Sequence, residues 1–349
     1  MVFSRKTVPI LLTILLLSHT AYSAVINVPA DQPNIQAGIN AALNGDTVLV
    51  SNGVWTGPGN RDLSFQGKAI TLKSEGGAEN CIIDCEEVSR AIEFQSSASR
   101  STILDGFTIK NGVHSGGTYD GGGILCNPGC SPVICNCIIT ECSVGGAGGG
   151  MAVLDSSPSI INCRFSQNHA YVRGAGIFIW GDVEILGCTF ILNDSRASSY
   201  DPDYGQGGGL FYSFGTGVVN DCIFLSNSAR YGAGAYCQGD VNFNNCLFSG
   251  NASVGTHSSQ HAGAGIYLED GNLFNCTFSG NSLANNNNGE SVYSVSPVSY
   301  IVRCILWDEE DNSLVVDSGS TVVTYSDIRL DSGVWPGSGN INEDPLFVS

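Results

Sequence analysis

A glycine-rich triplet and a later cysteine recur along this chain with unequal spacing. The triplets begin at Gly121, Gly148, Gly174, Gly207, Gly232 and Gly263. From the end of a triplet to the cysteine that follows, the gap is 11 to 14 residues, whereas the gap from that cysteine to the next triplet varies from 10 to 19. A constant structural unit is therefore followed by a loop that tolerates insertions.

Side chains alternate in character within each copy. After one triplet, the apolar residues Ile177 and Ile179 lie two positions apart, and later in the same copy Cys188 and Phe190 do the same. Residues spaced in this way have the same parity, that is, their side chains face the same side of a strand. The recurring cysteines are Cys137, Cys163, Cys188, Cys222, Cys246, Cys276 and Cys304. A period of two indicates strands. The parity breaks just before each cysteine, usually at an asparagine, and asparagine tolerates the left-handed backbone of a sharp bend.

Three short strands per copy, stacked in register, predict an all-β chain that winds as a right-handed parallel β-helix. Degenerate copies at both ends bring the count to about ten coils. We predict that the recurring cysteines, with the phenylalanines two residues after them, line the interior. The chain then divides into a signal peptide (1–23), an N-terminal cap (24–60), the β-helix (61–330) and a C-terminal closing segment (331–349).

The first residues predict export. Arg5 and Lys6 precede an apolar run from Val8 to Leu17, and Ala21-Tyr22-Ser23 fits the small-x-small rule for cleavage after Ser23. The run is too short to span a bilayer, so the mature chain is expected to carry no membrane span. It should lie outside the cell, on the cell surface or in the periplasm.

Charge narrows the choice of partners. Without the two basic residues of the signal peptide, 12 basic residues face 32 acidic ones, a net charge of −20. Nucleic acid and anionic membrane surfaces would be repelled. No cofactor is predicted, and calcium stays open, because acidic turn residues could bind it or could simply favour the turns. These residues are Asp155, Asp182, Asp240, Glu269 and Asp270.

Two features resemble known families. The triplets are paired with Phe-x-x-Asn at Phe165–Asn168, Phe190–Asn193, Phe224–Asn227, Phe248–Asn251 and Phe278–Asn281. This pairing is similar to the repeats of chlamydial polymorphic outer membrane proteins. The opening stretch INVPADQPNIQAGINAALNGDTVLV resembles the start of pectin-lyase-like β-helix proteins. The resemblance implies a plug formed by a strand and an amphipathic helix, about 33–43, with Ile35, Ile39 and Leu43 on one face.

The pectin-lyase-like superfamily includes lyases, hydrolases and non-catalytic adhesins, so the fold alone does not choose a function. The motifs of polygalacturonases do not occur in this sequence. Lys110 could act as a lyase base, but by parity it points outward beside Asp84 of the preceding coil, and a surface ion pair is expected. The cysteines outside the main column, Cys81, Cys85, Cys130, Cys135 and Cys142, are candidates for disulfides.

Residues that could bind a ligand cluster in the loops of variable length and in the strand that follows them. An outward column after the triplets consists of Phe178, Phe211, Tyr236 and Tyr267. Its rings could stack on sugars if they are exposed, or the long loops could fold back and bury them. The loop residues are His114, His169, Arg173, Tyr204, Arg230, His257 and His261. We predict that column and loops form one binding edge.

The sequence thus favours a secreted or cell-surface, non-catalytic, adhesin-like scaffold that contacts a polysaccharide or a cell-surface glycan or protein. The alternative is a polysaccharide lyase or glycoside hydrolase acting on an acidic polysaccharide. A catalytic constellation would be polar, convergent and drawn from adjacent coils. The polar residues here are scattered over loops, which favours the first function.

Overall fold

The computed structural model describes residues 23–195, 204–254, 262–284, 289–308 and 313–347. Within these residues the chain winds as a parallel β-helix, and each full turn adds one strand to each of up to four sheets. Strand pairs join equivalent strands of successive turns and run parallel, as in the pairs of Ser159–Ile161 with Val183–Leu186 and of Arg164–Ser166 with Thr189–Ile191. The predicted β-helix is confirmed.

Four sheets, which we name A to D, run along the rod. Sheet A contains Val25–Val28, Thr47–Val50, Thr71–Ser74, Ile103–Asp105, Val133–Cys135, Ser159–Ile161, Val183–Leu186, Thr216–Asn220, Asp240–Asn244, Asn272–Phe274, Val298–Val302 and Ser320–Thr324. Sheet B contains Gly53–Trp55, Cys81–Asp84, Thr108–Lys110, Ile138–Thr140, Arg164–Ser166, Thr189–Ile191, Ile223–Leu225, Leu247–Ser249, Thr277–Ser279, Ile305–Trp307 and Asp327–Ile328. Sheet C contains Leu63–Ser64, Ile92–Phe94, Ile124–Cys126, Met151–Leu154, Ile177–Trp180, Leu210–Phe214, Ala235–Cys237, Ile266–Leu268, Val292–Ser294 and Leu314–Val316. Sheet D contains Val113–His114, Ser143–Val144, His169–Ala170, Asp194–Ser195, Ser228–Ala229, Ala252–Ser253 and Ser282–Leu283.

A short helix, Ile35–Ala41, packs against the first strands of the rod. The side chain of Asn34 caps it by accepting a hydrogen bond from the amide of Ala37 at 2.9 Å. Ile35 and Ile39 are buried, as predicted, but Leu43 is exposed. That part of the prediction was wrong because the helix ends at Ala41, before Leu43 can join its apolar face. Among the described residues, no helix has the length and apolar content needed to cross a bilayer.

Columns of like residues fill the interior of the rod. The phenylalanine rings of successive turns stack, with centroids 4.7 Å apart for Phe190 and Phe224 and 4.5 Å apart for Phe224 and Phe248. The recurring cysteines are buried beside them, and the amide of Cys163 donates to Sγ of Cys188 at 3.3 Å. The predicted interior column is confirmed.

The corner between sheets A and B is turned by one residue in the left-handed region. Asn162 has a φ of 52° and Asn245 a φ of 54°, so the predicted role of the asparagine before each cysteine is confirmed. The turn is therefore short and leaves the outer face of sheet A without an overhanging loop on that side. The longer connections join sheet D to sheet C, for example between Ser195 and Leu210.

All fourteen cysteines lie in the described residues and are free thiols. The disulfides considered for Cys81, Cys85, Cys130, Cys135 and Cys142 therefore do not form in this structure. For the first pair the reason is geometric: Cys81 begins a strand that ends at Asp84. Four strand residues separate two Cα atoms by about 13 Å, well beyond the reach of a disulfide.

Sheet D was not predicted, because its strands of two residues are too short to show an alternation.

Next to sheet D runs a buried ladder formed by the asparagines of the Phe-x-x-Asn motifs, namely Asn168, Asn193, Asn227, Asn251 and Asn281. Each Nδ2 donates to Oδ1 of the next asparagine at 2.9 to 3.0 Å. Asp308 is the last acceptor, and it receives the backbone amide of Asn281 at 2.8 Å and its Nδ2 at 3.2 Å.

Asp308 should make stability depend on pH. Burial raises the pKa of Asp308 from 3.8 to about 6, although hydrogen bonds from Ser291 and Asn281 oppose the rise. Between these values the folded chain holds a proton that the unfolded chain has lost. We therefore expect the free energy of unfolding to fall as pH rises from about 4 to about 6, by at most about 3 kcal/mol.

The variant Asp308→Asn keeps an oxygen acceptor for Asn281 but cannot ionise. We expect it to be more stable than the wild type at pH 7, with a much smaller difference near pH 4. Urea unfolding midpoints of both proteins at the two pH values measure this. An offset of equal size at pH 4 and pH 7 would show that Asp308 does not carry the pH dependence.

Candidate ligand-binding surface

The predicted aromatic column exists on the outer face of sheet C. Phe178 and Phe211 stack with centroids 5.6 Å apart, Phe211 and Tyr236 at 5.1 Å, and Tyr236 and Tyr267 at 4.6 Å. The strands that carry the rings pair in register, so successive rings overlap. The structure therefore brings these four predicted residues together.

The rings of this column are nevertheless not exposed. Phe178, Phe211 and Tyr236 are buried, and Tyr267 is partly exposed. Residues of the adjoining loops cover them: Tyr119 stacks on Phe178 at 4.8 Å. Of the two alternatives that the sequence left open, the structure shows the second: the adjoining loops fold back over the sheet and bury the rings of Phe178, Phe211 and Tyr236.

Burial and a hydrogen bond also hold the side chain of Tyr236 in this aromatic column. The hydroxyl of Tyr236 donates to the carboxylate of Glu269. Burial, together with this hydrogen bond, raises the pKa of Tyr236 well above its usual range. The phenol therefore stays protonated at physiological pH and serves as a structural donor.

Of the predicted loop residues, the two histidines that the structure describes are each paired with an aspartate. Nδ1 of His114 lies 3.1 Å from Asp120, and Nδ1 of His169 lies 3.7 Å from Asp194. Ring contacts are also seen for Arg173 with Phe211 at 5.1 Å, for Arg230 with Tyr231 at 5.3 Å, and for Tyr204 with Tyr171 at 6.0 Å. His257 and His261 lie outside the described residues. A single binding edge on this side stays a prediction.

Two exposed aromatic residues were missed by the sequence reasoning. Trp180 is 44% exposed and Phe214 is 62% exposed, and their ring centroids lie 6.2 Å apart. Both end strands of sheet C, and a shift of register after Ile179 pairs Trp180 with Phe214. Trp180 has the same parity as Phe178, so an outward direction could have been read from the sequence. We call Trp180 and Phe214 the aromatic platform.

A groove of about 360 Å³ begins on sheet A, two residues beyond the aromatic platform. Its walls come from residues of three successive turns and from one loop; most of their side chains point outward, whereas Val183 is buried and Gly217 has no side chain. The lining residues are Arg100, Asp182, Val183, Glu184, Thr216, Gly217, Val218, Asp240 and Asn242. Inward residues of the same strands, such as Ile185 and Val219, are buried in the core. The alternation that fills the core therefore also places the polar side chains in the groove.

Hydrogen bonds hold the polar side chains of this groove. Arg100 donates to Oγ of Ser159, and that hydroxyl donates to Oε2 of Glu184 at 3.2 Å. Oδ1 of Asp182 accepts the backbone amide of Thr216 at 2.7 Å and its hydroxyl at 3.1 Å. Asp182, Glu184 and Asp240 are all exposed. The groove is thus polar, preorganised and acidic, with one arginine already engaged.

The structure also places the candidate lyase base and the acidic residues considered for metal binding. Nζ of Lys110 lies 3.2 Å from Asp84, which confirms the expected ion pair. Within the described residues, no three His, Cys, Asp or Glu side chains are arranged to hold a metal ion. Calcium binding by the acidic turn residues stays a prediction.

The family described as "Right handed beta helix region" matches residues 121–306, a little over half of the chain. The chain belongs to the right-handed β-helix family. The matched region covers the regular repeats and all four residues of the buried aromatic column. The resemblance to chlamydial repeats stays a prediction.

Two solved structures are similar to this chain at low identity. Pectate lyase Pel9A is 13% identical with a TM-score of 0.48, and the match covers 94% of this chain and 83% of that one. A pectin methylesterase variant in complex with hexasaccharide IV is 10% identical with a TM-score of 0.39, covering 87% of this chain and 88% of that one. No curated protein sequence matches this chain.

Proposed function

We propose that this β-helix protein is exported and binds an uncharged polysaccharide through the aromatic platform and the adjoining groove, without converting it. The observation that carries the proposal is the exposed pair Trp180 and Phe214 next to a groove lined by hydrogen-bonding side chains. A sugar ring has an apolar face that stacks on aromatic rings and hydroxyl groups that need polar partners. The platform and the groove supply both.

The charges of the groove favour an uncharged ligand. Three exposed carboxylates, Asp182, Glu184 and Asp240, line it. Its one guanidinium, that of Arg100, is engaged by Ser159. The whole chain carries a formal net charge of −18, so a polyuronate would approach against both the local and the overall field.

The exposure of the same carboxylates favours binding over hydrolysis. A glycoside hydrolase needs one carboxylic acid kept protonated, usually by burial, to serve as general acid. Asp182 and Glu184 are both exposed, so neither lies in the buried environment that such an acid requires. For a lyase, the base considered was Lys110, which is held by Asp84 on sheet B, away from the groove.

Hydrolysis of a polysaccharide is the second candidate function, and one observation supports it. Asp182 and Glu184 point to the same face two residues apart along the chain. Their Cα atoms are therefore separated by about 7 Å, which is within the carboxylate spacing of inverting glycosidases. The same experiment that tests binding also tests this alternative.

The function is tested by native electrophoresis in gels that contain β-glucan, xylan, galactomannan or polygalacturonate. We expect retardation by at least one uncharged polysaccharide and none by polygalacturonate. The double variant Trp180→Ala/Phe214→Ala should bind that polysaccharide at least about tenfold more weakly, because each stacked ring contributes on the order of 1 kcal/mol.

Tyr325→Ala is the matched control, since Tyr325 is 62% exposed but lies near the C-terminal end of the rod. It should bind like the wild type, and all variants should keep the same melting temperature. Unchanged binding by the folded double variant would remove the platform as the site. Release of reducing ends that is lost in Glu184→Gln would establish the hydrolase instead.

A further inference from the structure

The groove is one end of a longer polar column on sheet A. Glu184 pairs with Val218, Val218 with Asn242, and Asn242 with Asn272. The next strand places Tyr300 beside Asn272, since Leu273 pairs with Ile301. All five side chains point out of the coil, because the residues that alternate with them are buried. Equivalent outward positions thus follow the rod axis over five turns.

Side-chain amides connect this column along the axis. Nδ2 of Asn272 donates to Oδ1 of Asn242 at 2.9 Å, and the backbone amide of Tyr300 donates to Oδ1 of Asn272 at 3.0 Å. A second row beside it is joined by Nδ2 of Asn244, which donates to Oδ1 of Asn220 at 2.8 Å. These bonds fix the amide planes, so that the amides act as an ordered row of uncharged polar groups.

Part of the hydrogen-bonding capacity of these amides faces outward. In the described part of the chain, Nδ2 of Asn242 and Nδ2 of Asn220 donate to no protein atom, and Oδ1 of Asn244 accepts from none. Each of the three residues is partly exposed. Uncharged donors and acceptors of this kind pair with hydroxyl groups without the desolvation cost of a charge.

An exposed ring stands at the far end of the column. Tyr300 is 45% exposed, and its neighbours Val298 and Val322 are also exposed. From Glu184 to Tyr300 the column covers four strand spacings, about 19 Å, which is several times the length of one sugar ring. The short corner into sheet B leaves this face open at the side.

We infer that the ligand is a linear polysaccharide that lies along the rod axis over sheet A, from the aromatic platform to Tyr300. This inference rests on the proposed function and adds the length and direction of the ligand. The repeated outward positions match a ligand that itself repeats, and an extended chain can meet both exposed aromatic sites at once. A single sugar or a disaccharide can occupy only one end.

The inference is tested by calorimetric titration with cello-, xylo- and manno-oligosaccharides of two and of six units. For the series that binds, we expect the six-unit chain to bind at least about tenfold more tightly than the two-unit chain, because multiple contacts add. Tyr300→Ala should weaken binding of the six-unit chain about fivefold and leave the two-unit chain unchanged. Tyr325→Ala removes an exposed ring that lies outside the column, so it should change neither affinity.

The outcomes separate the two proposals. Equal affinity for both lengths, or no effect of Tyr300→Ala on the six-unit chain, would overturn the axial arrangement and leave the platform as a local site. Absence of binding by every oligosaccharide and polysaccharide would overturn the proposed function and this inference with it. Asn272→Leu, at a position outside the groove, provides a second variant: it removes the amide that joins Asn242 to Tyr300 and should also act on the six-unit chain alone.

Discussion

Asn227→Ala is expected to lower the free energy of unfolding by about 4 kcal/mol, because it leaves several buried polar groups without partners at about 1 to 3 kcal/mol each. Oδ1 of Asn227 accepts the backbone amide of Asn193 at 3.1 Å and its Nδ2 at 2.9 Å. Its own Nδ2 donates to the carbonyl of Phe190 at 2.9 Å. All of these atoms are buried, so water cannot easily replace the lost bonds. Urea unfolding midpoints followed by circular dichroism measure the effect.

Asn220→Ala is the matched control for this variant. Asn220 is only partly buried and accepts one hydrogen bond from Asn244, at 2.8 Å. Water can replace that bond, so the control should lose less than about 1 kcal/mol. If the two variants lost similar stability, the buried asparagine ladder would not be a main determinant of the fold.

Phe248→Ala should cost about 3 to 5 kcal/mol, because it opens a cavity in the interior column. The ring is fully buried and stacks between Phe224 at 4.5 Å and Phe278 at 4.6 Å. Thr277, on the adjacent strand of sheet B, points outward and is partly exposed. Thermal unfolding of Phe248→Ala and Thr277→Ala compares the two faces of that sheet.

Thr277→Ala should lose well under 1 kcal/mol, as expected of a surface substitution. Comparable losses of melting temperature in the two variants would contradict the inward and outward assignment. Because each turn contacts only its neighbours, a central defect can also unfold part of the rod. Hydrogen exchange at the turns of Phe224 and Phe278 would then report the local loss.

The architecture could be predicted because it depends on local regularities of the sequence. Cys188 and Phe190 lie two residues apart, so their side chains face the same side of the sheet, and both are apolar enough to fill the interior of the coil. The left-handed backbone of Asn162 and Asn245 follows from the break of parity next to them. Because the sequence repeats, the assignment made for one turn applies to the equivalent residues of the other turns. Every turn buries its apolar face against the next.

The exposure of the aromatic residues could not be predicted in the same way. The outward direction of Phe178 and Phe211 followed from parity, but their burial depends on Tyr119 and Arg173, which reach them from loops. Loop conformation carries no periodic signal. Trp180 lies two residues after Phe178 and shares its outward direction, but Phe214 lies three residues after Phe211, and the pairing of Trp180 with Phe214 requires a shift of register that the repeat does not encode.

A crystal structure of the protein soaked with the six-unit oligosaccharide that it binds most tightly would locate the ligand directly. We expect a sugar ring stacked on Trp180 or Phe214, further units over Asn242 and Asn272, and the chain directed toward Tyr300. A saccharide seated on sheet C, between the loops that cover Phe178 and Phe211, would contradict the account.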